Sequence, residues 1–327
     1  MNIGIMSFAH MHAHSYAASV QSMPGVKLVG IADEDERRGR EAARTYATTY
    51  FPTIPALLEA NVDAVIITSE NARHGEMAVA AAEAHKHVLC EKPIAHSRAD
   101  AELMIESCRT HGVTLQMAFP CRFLTAVRRA KESLDAGTLG KIYAINGTNH
   151  GRMPGGWFID RTLSGGGAVI DHTVHVVDLM RWFLKSEVTR VYAQVDTRFN
   201  DIPIDDCGTL FFEFDDGAFA TLDPSWSRPK SFPTWGDVTM QIVGEQGTLF
   251  IDALRQTVAL YEDVSMRHRN SFWGDGMDLD LVTDFVDCVR EGREPSITGN
   301  DGLQALRVAL AAYKSAEERR FVRLDEV

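Results

Sequence analysis

Short apolar runs alternate with helical periods over the first 120 residues of the chain. The apolar runs predict buried strands at residues 3–6, 26–32, 62–68 and 87–90. Helical spacing predicts helices between them, over residues 13–20, 35–46 and 76–85. Strands that alternate with helices in this way indicate βαβ units and a parallel sheet.

The pattern changes after Phe119. Apolar positions at helical spacing predict helices over residues 123–134, 171–184 and 303–312. Alternating residues around Asp216-Gly217 predict a hairpin, and Gly244 and Gly247 mark a second one. This half therefore indicates helices that cover an antiparallel sheet, and no visible linker marks the boundary near residue 120.

Length, charge and cysteine content restrict the classes of protein to consider. The chain has 327 residues, which at about 150 residues per domain predicts two domains. With 33 basic and 45 acidic side chains the net charge is −12, which argues against a nucleic-acid-binding surface. No apolar run reaches the roughly 18 residues of a membrane span. The absence of a basic leader and five widely spaced cysteines without a C-x-x-C pair predict a cytoplasmic protein with reduced thiols.

The first strand, loop and helix have the arrangement of a dinucleotide-binding turn, in which loop amides and the helix N-terminus hold a pyrophosphate. In the G-x-G-x-x-G pattern of such a turn, Ser7, Ala9 and His12 stand at the three glycine positions. We expect Ser7 to make the tight turn with a negative φ. His12 is the largest departure, because the third glycine normally allows close packing of helix and strand.

Asp33 supports a dinucleotide site. It ends the second predicted strand, 21 residues after His12, where an acidic residue bonds the ribose 2′-hydroxyl. A carboxylate there repels a 2′-phosphate and favours NAD over NADP, although Arg37 and Arg38 lie close by and act against this preference. On this segment alone, a Rossmann-like domain that binds no dinucleotide remains an equal alternative.

His10, His12 and His14 alternate directly after the first strand. Two histidines at i and i+2 after a strand chelate metal in amidohydrolase barrels, which predicts a metal hydrolase. A (β/α)₈ barrel usually takes about 250 residues of repeated βα units, which the strand-rich second half does not supply. If the helix begins near His10, alternating positions also point to different sides. We therefore expect polar residues at a helix N-terminus that donate to phosphate oxygens, and no metal.

Lys92 follows the strand at residues 87–90, at the carboxyl end of a parallel strand, where open α/β sheets place their ligands. Pro93 keeps the Lys92 backbone out of the helical region. A cationic lysine beside a substrate hydroxyl favours the alkoxide that hydride loss requires. The alternative is a lysine in a surface loop.

Three glycines, Gly165 to Gly167, precede a predicted helix and allow a backbone or a ligand to come close. Asp171 lies near the helix start, and His175 lies one turn later on the same face. Histidine is the usual general base near neutral pH, and an aspartate on its face orients it or joins it on the substrate. The alternative is an N-cap aspartate followed by a core histidine.

Together these motifs resemble the glucose–fructose oxidoreductase / inositol dehydrogenase / rhizopine-catabolism (Gfo/Idh/MocA) family over nearly the whole chain. Residues 87–93 match its H-V-x-x-E-K-P motif, and residues 165–175 match G-G-G-x-x-x-D-x-x-x-H. Smaller matches lie at residues 71–74, 122–123, 225–227 and 295–302.

The resemblance implies an α/β fold with an N-terminal Rossmann domain over residues 1–120, built on a parallel sheet. Residues 121–327 then form an α+β domain with an open, mostly antiparallel sheet for substrate binding and oligomerisation. Members are mostly NAD(P)-dependent oxidoreductases of sugars, cyclitols and related polyols. The implied catalytic residues are Lys92, Asp171 and His175. The implied cofactor-binding residues are Ser7, Phe8, Ala9, His10, Met11, His12, Asp33, Ser69, Asn71, His74, Glu91 and Lys92.

Two departures from the family pattern affect the cofactor site. The glycine loop is replaced by residues 7–12, and the usual Thr-Pro-Asn becomes Ser69-Glu70-Asn71. Both departures bear on the cofactor geometry more than on the fold.

We interpret the chain as a cytoplasmic NAD-linked sugar or polyol dehydrogenase, with NADP as the alternative cofactor and a homo-oligomer (dimer or tetramer) as the expected assembly. His175 would move the hydroxyl proton, Lys92 would stabilise the charge on oxygen, and Asp171 would position both. We expect the substrate pocket to be lined by Arg122, Arg152, Trp157, Asp160 and His172. The alternatives are a dinucleotide- or sugar-sensing regulator and a redox-assisted glycosidase that recycles NAD.

Overall fold

The computed structural model describes residues 1–272 and 274–327, and it describes residues 257, 258, 270 and 272 by their backbone alone. Six parallel strands form the first sheet: β1 (Asn2–Met6), β2 (Lys27–Ala32), β3 (Thr49–Phe51), β4 (Ala64–Ile67), β5 (His87–Glu91) and β6 (Leu115–Ala118). Their order is β3-β2-β1-β4-β5-β6. The connecting helices are α1 (His12–Ser22), α2 (Glu36–Thr45), α3 (Ile54–Leu58), α4 (His74–Glu83) and α5 (Arg98–Thr110).

The second sheet has seven strands and belongs to the rest of the chain. Its strands are β7 (Ile142–Thr148), β8 (Val188–Asp196), β9 (Cys207–Phe214), β10 (Phe219–Asp223), β11 (Thr239–Gly244), β12 (Gly247–Asp252) and β15 (Val322–Arg323). A separate hairpin pairs β13 (Thr257–Glu262) with β14 (Arg267–Phe272). The helices of this half are α6 (Thr125–Asp135), α7 (Arg161–Ser164), α8 (Ala168–Leu184), α9 (Met277–Glu291) and α10 (Gly299–Glu318).

The predicted fold class is confirmed, since a parallel Rossmann-type sheet precedes a mostly antiparallel one. Both predicted hairpins form, β9 with β10 and β11 with β12. One pair departs from the antiparallel pattern, because β10 runs parallel to β7. The edge strand β3 and the last parallel strand β6 were not predicted, because each is too short to show a period of its own.

The apolar periodicity located α1, α2, α4, α6, α8 and α10 but not their ends, and α3, α5, α7 and α9 were not predicted. α8 begins at Ala168, so Asp171 lies inside its first turn rather than at its cap. α10 begins earlier than predicted because Thr298 and Asp301 form a capping box there. None of the described helices combines the length and apolarity that crossing a membrane requires.

The last two helices return to the N-terminal half. α9 packs against α1, and α10 packs against α5 and β6 as well as against α8. This packing brings the carboxyl ends of β1 and β5 opposite the start of α8. The division of the chain at residues 120 and 121 stays a prediction.

Candidate active site

A cavity of about 410 Å³ lies where the carboxyl edge of the parallel sheet meets α8. Both halves of the chain contribute to its wall, and five of the lining residues are histidine, lysine or aspartate: His10, His12, Lys92, Asp171 and His175. The loop after β1 supplies the first two, the end of β5 supplies the lysine, and α8 supplies the last two. Residues that the sequence separates by about 160 positions therefore share one cavity.

Lys92 and Asp171 form a buried ion pair in this cavity. Lys92 Nζ lies 2.5 Å from Asp171 Oδ1, and Trp226 Nε1 donates to Asp171 Oδ2 at 3.1 Å. Burial alone would raise the pKa of Asp171, but the positive charge of Lys92 outweighs it and holds this pKa well below its usual range. The carboxylate therefore stays ionised and holds the ammonium group at the cavity wall.

His175 is buried with a free ring nitrogen. Its side chain lines the cavity one helical turn after Asp171, as the i, i+4 spacing predicts. Among the residues that the structure describes, none hydrogen-bonds His175 Nδ1. Burial, and then the charge of Lys92, hold the pKa of His175 well below its ordinary value. The ring is therefore neutral near pH 7, which is the form that accepts a proton.

The glycine run places α8 by allowing a close backbone approach. Gly167 N donates to Asp205 Oδ1 at 2.9 Å, and Val169 N donates to Asp205 Oδ2 at 2.9 Å. A Cβ on Gly167 would lie 1.8 Å from the Asp205 carbonyl oxygen, so only glycine fits there. Gly165 adds a positive φ of 83°. The buried Asp205 thus anchors the helix start that carries Asp171 and His175.

The histidine run divides into a pair and a separate residue. The His10 and His12 rings lie 4.3 Å apart, whereas His14 turns away and its Nδ1 lies 3.0 Å from Tyr46 Oη. The expectation that His10 and His12 point to different sides, which required a helix that begins near His10, therefore does not apply. The reason is that α1 begins at His12, so His10 belongs to the loop and not to the helix.

Glu91 connects the pair to β5. His12 Nδ1 lies 2.8 Å from Glu91 Oε1, and Tyr16 Oη donates to the same oxygen at 2.5 Å. Burial alone would lower the pKa of His12, but the charge and hydrogen bond of Glu91 raise it. Burial lowers the pKa of His10 to about 3, so this ring is neutral. His12 N donates to His10 Nδ1 at 3.1 Å, which leaves the ring hydrogen of His10 on Nε2.

We predict that stoichiometric metal is absent from this cluster. Nitrogen and oxygen atoms of His10, His12 and Glu91 lie within 4.8 Å of one another, which is compatible with a chelate. However, His10 Nε2 carries the ring hydrogen, and a metal ligand needs a free lone pair. Elemental analysis of the purified protein tests this, and one zinc per chain together with activity lost to a chelator would revive the hydrolase interpretation.

Ser7 adopts a left-handed backbone with a φ of 70°, so the expectation of a negative φ is wrong. The turn keeps the shape that glycine would give it, because Ser7 Oγ accepts from Ala9 N at 3.2 Å. Such a backbone costs a non-glycine residue about 1 kcal/mol.

Asp33 lies buried at the carboxyl end of β2 with all its acceptor positions engaged. Arg38 donates to both of its oxygens, at 2.9 and 2.7 Å, and the amides of Phe8 and Asp35 donate at 2.7 and 2.9 Å. A second cavity of about 260 Å³ lies beside it, lined also by Glu34 and Arg73. A ribose hydroxyl that meets Asp33 must therefore displace one of these four hydrogen bonds.

Three predicted cofactor residues join loops instead of lining the larger cavity. Asn71 Nδ2 donates to the Ser164 carbonyl at 2.8 Å. His74 is fully buried, with Nδ1 2.9 Å from the Pro93 carbonyl and Nε2 3.2 Å from the Ser69 carbonyl. These contacts hold the ends of β4 and β5 together and fix where Lys92 stands.

The predicted substrate residues are dispersed. Arg122 is buried away from the cavity and donates to Asp178 at 2.8 and 2.5 Å. Asp160 is exposed and caps α7 by accepting from Thr162 N at 2.9 Å. Their placement does not agree with a role in the pocket, because an ion pair and a helix cap account for the two side chains.

The remaining three predicted residues lie around the cavity. Trp157 Nε1 donates to the Ala9 carbonyl at 3.1 Å, so this ring rests on the loop after β1. His172 is fully buried behind Asp171, with Nε2 3.3 Å from Asp171 Oδ2. Arg152 donates to the Phe232 carbonyl. His172 therefore contacts Asp171 and does not line the cavity itself.

Sequence reasoning missed three residues of the site. Asn149 lines the cavity, and its buried Oδ1 has no partner among the described residues. Trp235 lines the same cavity with 43% of its surface exposed. Trp226 holds Asp171. The Ser225-Trp226-Ser227 match was a signal for Trp226, whereas no local pattern marks Asn149 or Trp235.

Comparison with known proteins decides the family. Residues 1–119 match the model described as an oxidoreductase family with an NAD-binding Rossmann fold, and residues 127–250 match the GFO/IDH/MocA C-terminal domain. The chain belongs to the GFO/IDH/MocA oxidoreductase family. The predicted resemblance and the predicted enzyme class are thereby confirmed.

Individual relatives span the whole length of this family member. The chain is 29% identical to the myo-inositol 2-dehydrogenase of Thermotoga maritima, over 100% of this chain and 99% of that protein. It is 29% identical to the scyllo-inositol 2-dehydrogenase (NAD(+)) of Bacillus subtilis, over 99% and 95%. The crystal structure of GenD2 from gentamicin A biosynthesis, in complex with NAD, matches with a TM-score of 0.90 and 25% identity over 99% and 96%.

The residues present fit the NAD of this family. The loop after β1 and Asp33 lie on the sheet edge where such folds bind dinucleotides. The cavity beside Asp33 offers room for the adenosine half, and the buried Glu70 Oε2 nearby has no partner among the described groups. The larger cavity, with Lys92 and His175, offers room for the nicotinamide half and a substrate.

Proposed function

We propose that the chain is an NAD-dependent dehydrogenase that oxidises a CH–OH group of a sugar, cyclitol or related polyol. One observation carries the proposal: Lys92, Asp171 and His175 line a single cavity, in which Lys92 Nζ lies 2.5 Å from Asp171 Oδ1. A proton acceptor and a cation beside one oxygen are what oxidation of an unactivated hydroxyl requires. The named activities of the inositol dehydrogenases support this substrate class.

In the proposed reaction a bound NAD would supply the hydride acceptor for the substrate carbon. The neutral His175 ring accepts the hydroxyl proton as the alkoxide forms. The Lys92 ammonium stabilises the developing negative charge on that oxygen, while Asp171 holds the ammonium in place at 2.5 Å. Trp226 fixes the other oxygen of Asp171, so the carboxylate does not rotate toward the substrate.

Asn149 and Trp235 support a polyol as the substrate. Asn149 places a polar side chain at the cavity wall, which suits a substrate rich in hydroxyl groups. The Trp235 ring offers an apolar face to the C–H surface of a sugar ring. The two side chains thus match the alternating polar and apolar faces of a carbohydrate.

Reduction of NAD in the presence of a polyol panel tests the proposal. The panel contains myo-inositol, scyllo-inositol and D-xylose, after the relatives' names, and formation of NADH is followed by absorbance. We expect at least one compound to give turnover that is lost in His175→Ala. Binding of NADH without turnover on a wide panel would instead favour the regulatory alternative.

The protein is predicted to bind NAD(H) more tightly than NADP(H). Asp33 and Glu34 place two carboxylates at the end of β2, and these repel a 2′-phosphate. Calorimetry with both reduced cofactors measures the difference. Tenfold tighter binding of NADPH, about 1.4 kcal/mol, would contradict the prediction and would show that Arg38, rather than Asp33, meets the ribose.

A cytoplasmic location and a homo-oligomer complete the proposal. All five cysteines are free thiols, as expected in a reducing compartment. The second sheet exposes large apolar side chains that a further copy would cover, among them Tyr143, Phe219 and Phe250. Light scattering coupled to size exclusion would determine whether the assembly is a dimer or a tetramer.

A further inference from the structure

The loop between β1 and α1 leaves few backbone amides free for a phosphate. A glycine-rich loop at this place binds pyrophosphate through such amides. In this chain five amides of residues 7–12 donate within the protein: Ser7 N to the Ala32 carbonyl at 2.7 Å, Phe8 N to Asp33 Oδ2 at 2.7 Å, Ala9 N to Ser7 Oγ at 3.2 Å, His10 N to the Thr68 carbonyl at 3.0 Å, and His12 N to His10 Nδ1 at 3.1 Å. Among the described residues, Met11 N alone of these amides has no partner, so a dinucleotide bound here needs a further donor for its diphosphate.

The arginines and the lysine of the site are already paired with carboxylates. Arg38 contacts Asp33. Arg73 lies 2.7 Å from Glu34 Oε2, and Asp171 holds Lys92. Each cation would have to leave a carboxylate to reach a phosphate. They are therefore poor substitutes for the missing loop amides.

His12 has the position and the free atom that a phosphate donor needs. It is the first residue of α1, at the helix N-terminus where a pyrophosphate sits in this fold. It also stands at the third glycine position, and 29% of its side chain is exposed. Because Glu91 engages Nδ1 at 2.8 Å, the other nitrogen, Nε2, is left for a ligand.

Resting on the proposed function, we propose that His12 Nε2 donates to the pyrophosphate of the dinucleotide while Glu91 holds His12 Nδ1. The imidazolium then bridges two anions, the carboxylate of the protein and the diphosphate of the cofactor. Tyr16, fully buried beneath them, keeps Glu91 in place by donating to its Oε1 at 2.5 Å. His12, which stands in place of the third glycine, thus supplies the phosphate donor that the amides of a glycine-rich loop supply elsewhere.

Cofactor binding should then be linked to protonation of His12. The charged or titratable groups that face its ring come from the loop, from α1, from the end of β5 and from α9: His10, Tyr16, Glu91, Lys92 and Asp278. Glu91 already raises the pKa of His12, and a bound diphosphate raises it further. A group whose pKa rises on binding takes up a proton when the ligand binds. The affinity for the cofactor is therefore greatest below the pKa that His12 has in the free protein, and it falls as the pH increases above that pKa.

Calorimetric titration of NADH into the protein tests the proposal. The titrations use two buffers of different ionisation enthalpy, at several values from about pH 6 to about pH 9. We expect the unmodified protein to take up a proton on binding at the upper end, and its affinity to fall by about tenfold per pH unit there. His12→Gln keeps a polar side chain without a titrating ring, so its proton uptake and pH dependence should disappear.

His14→Gln is the matched control, because His14 lies on the same helix but contacts Tyr46 outside the cavity. It should bind NADH with the proton uptake of the unmodified protein. Proton uptake that persists in His12→Gln would overturn the assignment of His12 while leaving the dehydrogenase intact. Failure of the unmodified protein to bind either NADH or NADPH would instead overturn the proposed function. Thermal unfolding of each variant verifies that it is folded.

Discussion

Replacing His175 with alanine should lower kcat by about 10²-fold or more while the affinity for NADH changes little. The ring is the neutral group on the cavity wall that is able to accept the substrate's proton, and removal of a general base typically costs 10²- to 10⁴-fold. Steady-state kinetics with a substrate from the polyol panel give kcat, and a separate NADH titration gives the dissociation constant.

His85→Gln is the control, because His85 is an exposed histidine at the end of α4, away from the cavity. Its turnover should match that of the unmodified protein. Lys92→Met should show the same loss as His175→Ala, since it removes the cation and keeps the aliphatic stem. Near-normal turnover in His175→Ala would defeat the assignment of this residue as the proton acceptor.

Replacing Arg122 with alanine should lower the free energy of unfolding by about 3–5 kcal/mol. The substitution leaves Asp178, which is fully buried, without its bidentate partner. Burial already raises the pKa of Asp178, so the loss of the guanidinium would leave a carboxyl group that water does not solvate. Urea denaturation followed by circular dichroism measures the change.

The control for Arg122 is an arginine in an exposed pair. Arg128 Nη2 lies 3.2 Å from Asp280 Oδ2, and both side chains are exposed, so Arg128→Ala should change stability by about 1 kcal/mol or less. KM of folded Arg122→Ala should equal that of the unmodified protein, because Arg122 does not line the cavity. Unchanged stability with a raised KM would restore the substrate-binding role predicted from the sequence.

Local sequence patterns were sufficient for most of the architecture. Strands β1, β2, β4 and β5 are apolar runs, and both hairpins of the second sheet carry their turn residues. The residues of the Glu-Lys-Pro and Gly-Gly-Gly motifs could be nominated because each motif is short and keeps a fixed spacing. His175 follows Asp171 by one helical turn, so their shared face was predictable from helix geometry.

The residues that sequence reasoning missed or placed in the wrong role depend on contacts between distant segments of the chain. Nothing near Arg122 in the sequence indicates that it pairs with Asp178, 56 residues later. Asn149 and Trp235 meet at the cavity because β7 ends at its edge and the loop before β11 crosses it. The parallel pairing of β10 with β7 has no local signal either, since a strand's own residues do not show which neighbour it joins.

The sequence alone thus determined most strands of the first sheet, six of the helices, their alternation and the candidates for the reactive side chains. Hydrophobic periodicity and turn chemistry act over a few residues and are readable in one dimension. The tertiary structure decided which side chains share a cavity and which form ion pairs elsewhere in the fold. It separated Arg122 and Asp160 from the site, turned His10 and His12 toward each other, and joined His12 to Glu91. These outcomes depend on burial and on partners supplied by distant segments, and only the folded chain brings such partners within hydrogen-bonding distance.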